Sequence, residues 1–391
     1  MSTMYNIDSI YVAREDANGD IVSNPTILEL CLTGNTLKEA MTYEDIKCLL
    51  SEVARKHETG SEVSGSLTFK MDADSQQFIL THTLGEATSV TDFTTDVWVT
   101  ATAYQKGDVV NHTDGNHSLY AYKITGAGTS GASEPTITTG RGELITDNLV
   151  TWLVIPKLLT AVHPLDTAVP KFRLQIGLKE VGGSTIFYKQ YSNLELGALP
   201  IAITGTGTYE LSIDPVGGIG IDEQDTAWPG EFTTLVGATV VGSESDFYGG
   251  DCSLTQVLVD NAVDETDSVT ITIDKGLTSE DKLNCRKRTS RDLKVEGTMT
   301  KEFVPEDYYS FKDKEVFDLK VNLSTKIGAY CNYHFPRVRP QFADPDLESK
   351  TSVMISPAIA AEETETAPVV TATCVFPALM SGGVIVGTGA W

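Results

Sequence analysis

The sequence predicts a mainly β protein, with two tandem β-sandwich or barrel-like domains that each carry a short helix, plus a small inserted β module. Three observations lead to this prediction. The 391 residues include 33 Gly and 15 Pro, and they are rich in Thr, Val and Ile, as turn-rich β proteins are. A pattern around Val63-x-Gly65 returns about 232 residues later around Val295-x-Gly297. A block near residue 100 has no second copy.

The repeated pattern runs from an acidic segment through a basic pair into a strand that alternates apolar and polar residues. Its copies are residues 42–68 and 278–300. A repeat within one chain indicates architecture, because stacked or symmetric surfaces are built from copies whereas a catalytic site is usually made once. We therefore predict a first domain from residues 1–95 together with 158–204, and a second domain from residues 252–391.

In the first domain, residues 1–35 predict a hairpin around an Asp/Asn/Gly-rich turn. Residues 42–56 predict a helix, because their apolar residues recur at helical spacing. These residues are Ile46, Leu49, Leu50 and Val53. Residues 63–71 and 295–303 predict half-buried strands.

Residues 96–157 predict the inserted module, because short strand-like runs alternate there with Gly turns. Its large aromatic residues are Trp98, Tyr104, Tyr120, Tyr122 and Trp152. They are open to two interpretations. They form the core of a small β fold, or some of them form an exposed platform on which sugar rings stack.

After the module, two strands are predicted around the turn at Gly182-Gly183. Residues 205–251 are rich in Gly and Asp and predict a connector, in which residues 232–241 could form a strand. The second domain follows, and its further predicted strands are residues 269–273, 317–322, 329–335 and 369–376.

The net charge of −25 makes a phosphate-gripping nucleic-acid surface unlikely, since such a surface must be basic. The six cysteines are widely spaced, which favours free thiols in a reducing compartment. No signal peptide or apolar run of membrane-spanning length is recognisable. We expect assembly in a cytoplasm and no membrane partner.

The motifs of catalysis and cofactor binding are weak. Gly126-x-Gly128-x-x-Gly131 matches the dinucleotide fingerprint, but no helix is predicted after it. Asp72 and Asp74 could form a metal or acid pair, and a solvated strand end is the favoured alternative. The acidic turn after Glu15 lacks the Glu that a calcium loop needs at its twelfth position. We predict no enzyme, no cofactor and no metal site.

The inserted block resembles the small carbohydrate-binding, chitin-binding-like β modules of phage structural proteins. The residues that carry this resemblance are Tyr104, Gly107-Asp108-Val109-Val110, Tyr120, Gly128-Thr129-Ser130-Gly131, Glu134-Pro135 and Val150-Thr151-Trp152. It implies that surface aromatic residues can stack on glycans.

The duplicated unit resembles the major tail tube protein of long non-contractile phage tails. The matching features are the Val-x-Gly-x-Leu/Met-Thr strands that start at Val63 and Val295, the polar loops before them, and the segment Phe335-Pro336-Arg337-Val338-Arg339. This resemblance implies rings stacked into a tube. With two domains in each chain, three chains would form one ring with pseudo-sixfold symmetry.

The resemblance also implies partners and a location. They are other copies of the chain, the tape measure and tail-end proteins, double-stranded DNA in transient passage, and a virion tail. An acidic lumen would repel the DNA backbone, and Asp74 and Glu306 are the candidate lumen residues. The alternative is a glycan-binding adhesin or baseplate component.

Overall fold

The structure is a computed structural model, and it describes most of the chain in separate ranges. These are residues 5–15, 27–29, 32–46, 55–72, 75–113, 120–138, 142–166, 169–183, 186–204, 209–216, 219–224, 255–282, 285–290, 293–313, 315–325, 328–341, 344–346, 353–363, 368–377, 380–381 and 384–385. The helices within them are α1 (Gln76–Thr83) and α2 (Pro305–Lys312). Neither of these helices has the length that a membrane crossing requires.

Strands dominate the described residues, which confirms the mainly β prediction. Those before residue 205 are β1 (Tyr5–Arg14), β2 (Ile27–Glu29), β3 (Leu32–Asn35), β4 (Lys38–Ile46), β5 (Arg55–Ser64), β6 (Leu67–Lys70), β7 (Val90–Asp92), β8 (Ala103–Tyr104), β9 (Val109–Asn111), β10 (Tyr120–Gly126), β11 (Gly128–Thr129), β12 (Leu144–Asp147), β13 (Val150–Pro156), β14 (Leu158–Pro164), β15 (Phe172–Glu180), β16 (Ile186–Leu196) and β17 (Ala198–Thr204). Those after it are β18 (Glu210–Ile213), β19 (Pro215–Val216), β20 (Ile219–Gln224), β21 (Thr255–Val259), β22 (Ala262–Val263), β23 (Thr266–Asp274), β24 (Leu277–Lys282), β25 (Cys285–Ser290), β26 (Lys294–Glu302), β27 (Phe317–Ser324), β28 (Tyr330–Pro340), β29 (Met354–Ile355), β30 (Ala358–Ala361), β31 (Thr371–Pro377), β32 (Met380–Ser381) and β33 (Val384–Ile385).

The main sheets of the two halves pair their strands in the same order. In the first half, β1 pairs with β2 and β15, β15 pairs with β16, and β16 pairs with β20. In the second half, β21 pairs with β22 and β27, β27 pairs with β28, and β28 pairs with β31. All of these pairs are antiparallel. The β1–β2 and β15–β16 pairs confirm two of the predicted hairpins.

A second strand group also matches between the halves. In the first half β6 lies between β3 and β18, and α1 follows it. In the second half β26 lies between β23 and the pair β29 and β30, and α2 follows it. The strand predicted over residues 295–303 is confirmed as β26. The one predicted over 63–71 is interrupted at Gly65-Ser66, between β5 and β6.

The helix predicted over residues 42–56 is wrong in its described parts. Residues 38–46 and 55–64 form the antiparallel hairpin β4–β5, and residues 47–54 lie outside the described part of the chain. The register places Asp45 opposite Lys56. The hairpin β24–β25 likewise places Asp281 opposite Arg286. Pairing between strands is not a local property, so helical spacing alone does not reveal it.

Strands of the two halves also join each other. β17 pairs with β23, and β14 pairs with both β31 and β7. One apolar core extends across both halves, from Leu67 and Phe172 to Leu319 and Phe335. The predicted connector, residues 205–251, contains β18, β19 and β20, which pair with first-half strands. Residues 232–241 lie outside the described residues.

The inserted block has its own sheet, in the order β12-β13-β10-β9, and a small pair of β8 with β11. Its core is separate from the main one and centres on Tyr122 and Trp152. A third small cluster, which includes Ala121, Leu158 and Val375, packs the base of the block against the second half.

Candidate functional site

The repeated glycines, Gly65 and Gly297, lie where neighbouring backbones come very close. A Cβ atom at Gly65 would overlap the carbonyl of Thr36, and one at Gly297 would overlap the carbonyl of Thr270. Gly65 also has a φ of +121°, which side chains disfavour. Both copies of the repeat therefore need glycine for the same reason, a close approach of backbone to backbone.

Hydroxyl groups beside these glycines make matching contacts in the two halves. The first-half pairs are Thr36 with Ser66 at 2.9 Å and Thr68 with Ser212 at 3.2 Å. The second-half pairs are Thr270 with Thr298 at 3.2 Å and Thr300 with Ser356 at 3.1 Å. Ser66 and Thr68 occupy the same places in the repeat as Thr298 and Thr300. Hydroxyl contacts of the same kind therefore occur at equivalent positions of the two sequence copies.

The joint between the halves is the antiparallel pair β17–β23, which runs from Ala198 opposite Asp274 to Thr204 opposite Ser268. Its buried face is an apolar ladder. The facing pairs are Leu199 with Ile273, Ile201 with Ile271, and Ile203 with Val269. Pro200 lies in β17, which among the described strands pairs with β23 alone. Proline is tolerated on an edge strand, where its position need not donate a backbone N–H to a neighbour.

A buried lysine adds a polar contact at this joint. Lys275 follows β23, and its Nζ donates a hydrogen bond to the carbonyl of Asp166 at 2.5 Å. Its backbone N–H donates to the carbonyl of Gly197 at 2.9 Å. Burial lowers the pKa of Lys275 to about 8, because desolvation disfavours the charged ammonium.

The two helices differ in exposure. All eight residues of α1 are buried, whereas in α2 only Phe311 is buried. Glu306, the predicted lumen residue, is exposed in the first turn of α2, where a negative charge suits the helix dipole. Asp74, the other predicted lumen residue, lies outside the described residues. Of the two predicted lumen acids, Glu306 is therefore the one whose position can be described.

An open groove of about 640 Å³ lies on the inserted block. Tyr104, Asp96 and Asp108 line it, together with Val97 and Val99, which are exposed. An aromatic ring beside carboxylates can stack on a sugar and accept hydrogen bonds from its hydroxyl groups. The lining of the groove thus suits a small polar ligand.

The five aromatic residues of the block do not form one surface. Tyr122 and Trp152 have no exposed area and form the core of the block, so a ligand cannot reach them. Trp98, Tyr104 and Tyr120 are partly exposed. Of these, Tyr104 lines the groove, and its ring packs edge-on against Trp152 with 5.0 Å between centroids.

Asp147 fixes the position of these rings. Its Oδ2 accepts hydrogen bonds from the indole N–H of Trp98 at 3.2 Å and of Trp152 at 3.3 Å. Its Oδ1 accepts one from the backbone N–H of Gly131 at 2.8 Å. This carboxylate is the polar centre of the block, and it also holds the glycine loop that superficially matches a dinucleotide motif. That loop leads from β10 through β11, with no helix among the described residues that follow it in the block.

Metal and thiol chemistry find little support in the described residues. No group of three or more His, Cys, Asp or Glu in them could hold a metal ion. Cys331 is buried, and burial raises the pKa of its thiol to about 12, so it is a poor nucleophile. His334, three residues on, contacts Asp318 at 2.6 Å.

Sequence reasoning missed three of these features. The alternation of residues 198–204 would have predicted a strand, but nothing local shows that its partner lies in the other half. Nothing local in the sequence shows that Asp147 accepts hydrogen bonds from two tryptophans. Lys275 has no local signal, because the carbonyls that it contacts, those of Asp166 and Gly197, belong to residues distant in the sequence.

The sequence matches no known family model and no curated protein.

Proposed function

We propose that this chain is a structural virion protein whose copies form stacked rings of a phage tail tube that conducts DNA. The observation that carries the proposal is the matched set of contacts around Gly65 and Gly297, together with the same strand order in both halves. A closed ring built from repeated domains requires that like domains join edge to edge.

The β17–β23 joint supports a particular stoichiometry. It connects a first unit to a second unit within one chain through a buried apolar ladder. If a comparable joint connects the second unit of one chain to the first unit of the next, three chains supply six units. Such closure leaves no unpaired unit at either end.

The assembly is tested with purified full-length protein by native mass spectrometry and negative-stain electron microscopy. We expect hollow rings or tubes, with a ring mass of three 42.2 kDa chains. Rings of six chains would contradict the paired-unit stoichiometry. Persistent monomers at high protein concentration would contradict the tube itself.

The acidic composition supports free passage of DNA. A net charge of −25 weakens contact with phosphates, which is otherwise the main source of non-specific DNA affinity. Glu306 is the described candidate for the lumen. Charge reversal at this residue, Glu306→Lys, is expected to slow DNA release from assembled virions, measured by dye uptake on ejection. Unchanged DNA release by the variant, from tubes of normal appearance, would contradict the placement of Glu306 in the lumen.

A second candidate function, glycan binding, is favoured by the groove of the inserted block. We expect weak binding of chitin oligosaccharides or cell-wall fragments by isothermal titration calorimetry. Asp96→Ala, which removes an exposed groove carboxylate, should weaken that binding at least several-fold. Leu144→Glu, on exposed β12 away from the lining residues, is the matched control. Unchanged binding in Asp96→Ala would exclude the groove.

A further inference from the structure

Two free cysteines lie directly opposite each other in the second half of the chain. Cys331 of β28 pairs in register with Cys374 of β31. Neither residue has any exposed area, and both belong to the core that extends across the two halves. Directly opposite residues of a sheet project to the same face, so both thiols point into that core.

The backbone hydrogen bonds around this pair show which kind of cross-strand site it is. The N–H of Thr325 donates to the carbonyl of Ala329 at 2.8 Å, across the turn between β27 and β28. Backbone groups alternate in direction along a strand. Those of Cys331, two residues after Ala329, therefore also point towards β27 and away from β31.

The same alternation applies on the other side of β31. Just after β7, the N–H of Phe93 donates to the carbonyl of Leu158 at 3.0 Å, so Leu158 directs its backbone groups away from β31. Ala161, three residues later, directs its own towards β31, where Cys374 lies opposite it. The backbone groups of Cys374 are thus engaged with β14 rather than with β28.

Cys331 and Cys374 therefore form a non-hydrogen-bonded pair, the closer of the two kinds of antiparallel pair. In such a pair the Cα atoms lie about 4.5 Å apart, and disulfides join Cα atoms that are about 4.4 to 6.8 Å apart. The sheet thus holds the two residues at a separation that a disulfide accepts.

We propose that Cys331 and Cys374 close into a cross-strand disulfide in an oxidising environment, and that this bond latches the junction of the two halves. The latch acts through β31, because that strand pairs with β14 of the first half on one edge and with β28 on the other. The inference does not depend on the tube, since it uses the register of a single chain.

A small disulfide such as oxidised glutathione is the oxidant. One protein thiolate attacks a sulfur of the small disulfide and displaces one thiol, and the second protein thiolate attacks the resulting mixed disulfide and displaces the other. The two protein thiols lose two electrons and two protons, and the small disulfide becomes two thiols. Burial raises the pKa of the Cys331 thiol to about 12 and also raises that of Cys374, so the exchange takes place when the sheet opens or before it is complete.

The polar contacts next to the pair tolerate the bond. In the reduced protein the thiol of Cys374 donates to Oε1 of Gln77, in α1, at 3.3 Å. Closure removes this S–H donor, but Oε1 of Gln77 also lies 3.0 Å from Nε2 of His163. The side chain of Gln77 therefore retains a buried partner, and closure does not leave it unsatisfied.

Disulfide mapping tests the pairing in full-length protein. The reduced protein is held in a glutathione redox buffer at its urea midpoint, where chains open and close repeatedly, and is then returned to native buffer. Free thiols are alkylated, and the digested protein is analysed by mass spectrometry. Six cysteines leave Cys331 five possible partners, so random pairing would join it to Cys374 in about one oxidised chain in five.

We expect most chains to contain the peptide in which Cys331 is joined to Cys374. Pairing at or below the random level would overturn the proposal. Recovery of both residues as free thiols or as glutathione adducts would overturn it too.

A thiol moved by one residue is the matched control. The double variant Cys374→Ser, Thr373→Cys places the thiol on the other face of β31, opposite Asn332, and the serine hydroxyl can still donate to Gln77. We expect the yield of bonds from Cys331 to the moved thiol to fall to the random level. Equal yields from this variant and from the wild type would show that the register does not select the pair, and would overturn the proposal.

Urea denaturation tests the latch itself. The bond closes the chain from residue 331 to residue 374 and so restricts the unfolded state. We expect a higher urea midpoint for oxidised than for reduced wild type, and no such difference for Cys331→Ala after the same treatment. An unchanged or lower midpoint in oxidised protein that contains the mapped bond would overturn the latch. Neither measurement requires assembly, so failure of the tube proposal would be seen separately.

Discussion

Among single residues, the glycines of the repeat have the most precise geometric role. Gly65 and Gly297 each face a threonine carbonyl with no room for a Cβ atom. Gly34, on the neighbouring strand β3, has its nearest non-adjacent atom, Thr68 Cβ, at an ordinary 3.4 Å from a built Cβ. The chain therefore contains glycines that the fold requires and a glycine that it merely tolerates.

Substitution of these glycines by alanine separates the two kinds. Gly65→Ala and Gly297→Ala should each lower the free energy of unfolding by about 3 kcal/mol, because backbone must move to admit the methyl group. Gly34→Ala should change it by less than about 1 kcal/mol. Urea denaturation provides the measurement. Equal effects at all three positions would contradict the close-approach explanation.

A buried histidine, His82 of α1, gives the fold an acid sensitivity. Its Nδ1 donates to the carbonyl of Pro170 at 2.9 Å, and its Nε2 has no hydrogen-bond partner among the described residues. Burial lowers its pKa from 6.5 to about 4. The folded state therefore holds this ring neutral, whereas the unfolded chain binds a proton once the pH falls below 6.5.

Stability should fall as the pH is lowered from 6.5 towards 4, with about 3 kcal/mol of the loss due to His82. His82→Gln retains a donor for Pro170 and does not titrate, so its stability should depend less steeply on pH in this window. Chemical denaturation at several pH values tests this, with His334→Gln at a partly exposed histidine as the control. Parallel pH profiles for wild type and His82→Gln would contradict the assignment.

Among the elements, β17 joins the two halves of the chain through its pairing with β23. Its buried side chains face those of β23 across the joint, and Ile201 lies opposite Ile271 at its centre. The neighbouring Ala202 points to the other, exposed face. One strand therefore offers a buried position and an exposed control position.

Ile201→Ala should cost about 3 kcal/mol, because it removes buried methyl groups and leaves a cavity in the ladder. Ala202→Ser should stay within about 0.5 kcal/mol of wild type. Thermal unfolding followed by circular dichroism measures both. Similar losses in the two variants would show that the ladder is not the source of stability at the joint.

The same elements show what the sequence could and could not predict. Period-two alternation correctly predicted β26 and β27, because each half-buried strand carries that signal locally. The stripe from Ile46 to Val53 predicted a helix over residues 42–56, but the described ends of that range, residues 42–46 and 55–56, belong to β4 and β5, because strand register is not a local property. The groove could not be predicted, because Asp96 and Tyr104 converge only when the block folds. The aromatic core of the block, by contrast, was one of the two interpretations of its sequence.

In the whole molecule, the apolar interior is divided unequally. One core spans both halves, and a separate one around Tyr122 and Trp152 belongs to the inserted block. Separate cores can unfold at different temperatures, whereas one continuous core favours a single transition. The halves should therefore melt together, and the block should melt on its own.

Asp147→Ala tests this division, because it removes three hydrogen bonds inside the block only. The melting of the block should be destabilised by about 3 kcal/mol, while the transition of the main core should not move. The tryptophan bands of near-ultraviolet circular dichroism report on Trp98 and Trp152 of the block, and far-ultraviolet circular dichroism reports mainly on the larger sheets of the two halves. If the near-ultraviolet and far-ultraviolet transitions shifted together, the block and the main core would not unfold independently.

The pairing of β7 with β14 has a consequence for how such a chain can evolve. Asp92 lies opposite Leu159, so the chain leaves the main sheet and returns to it at adjacent positions. A segment that starts and ends side by side can be lost, lengthened or replaced by another with little cost to the frame that carries it. We therefore expect the block between β7 and β14 to tolerate replacement in one recombination step, without redesign of the strands that hold it.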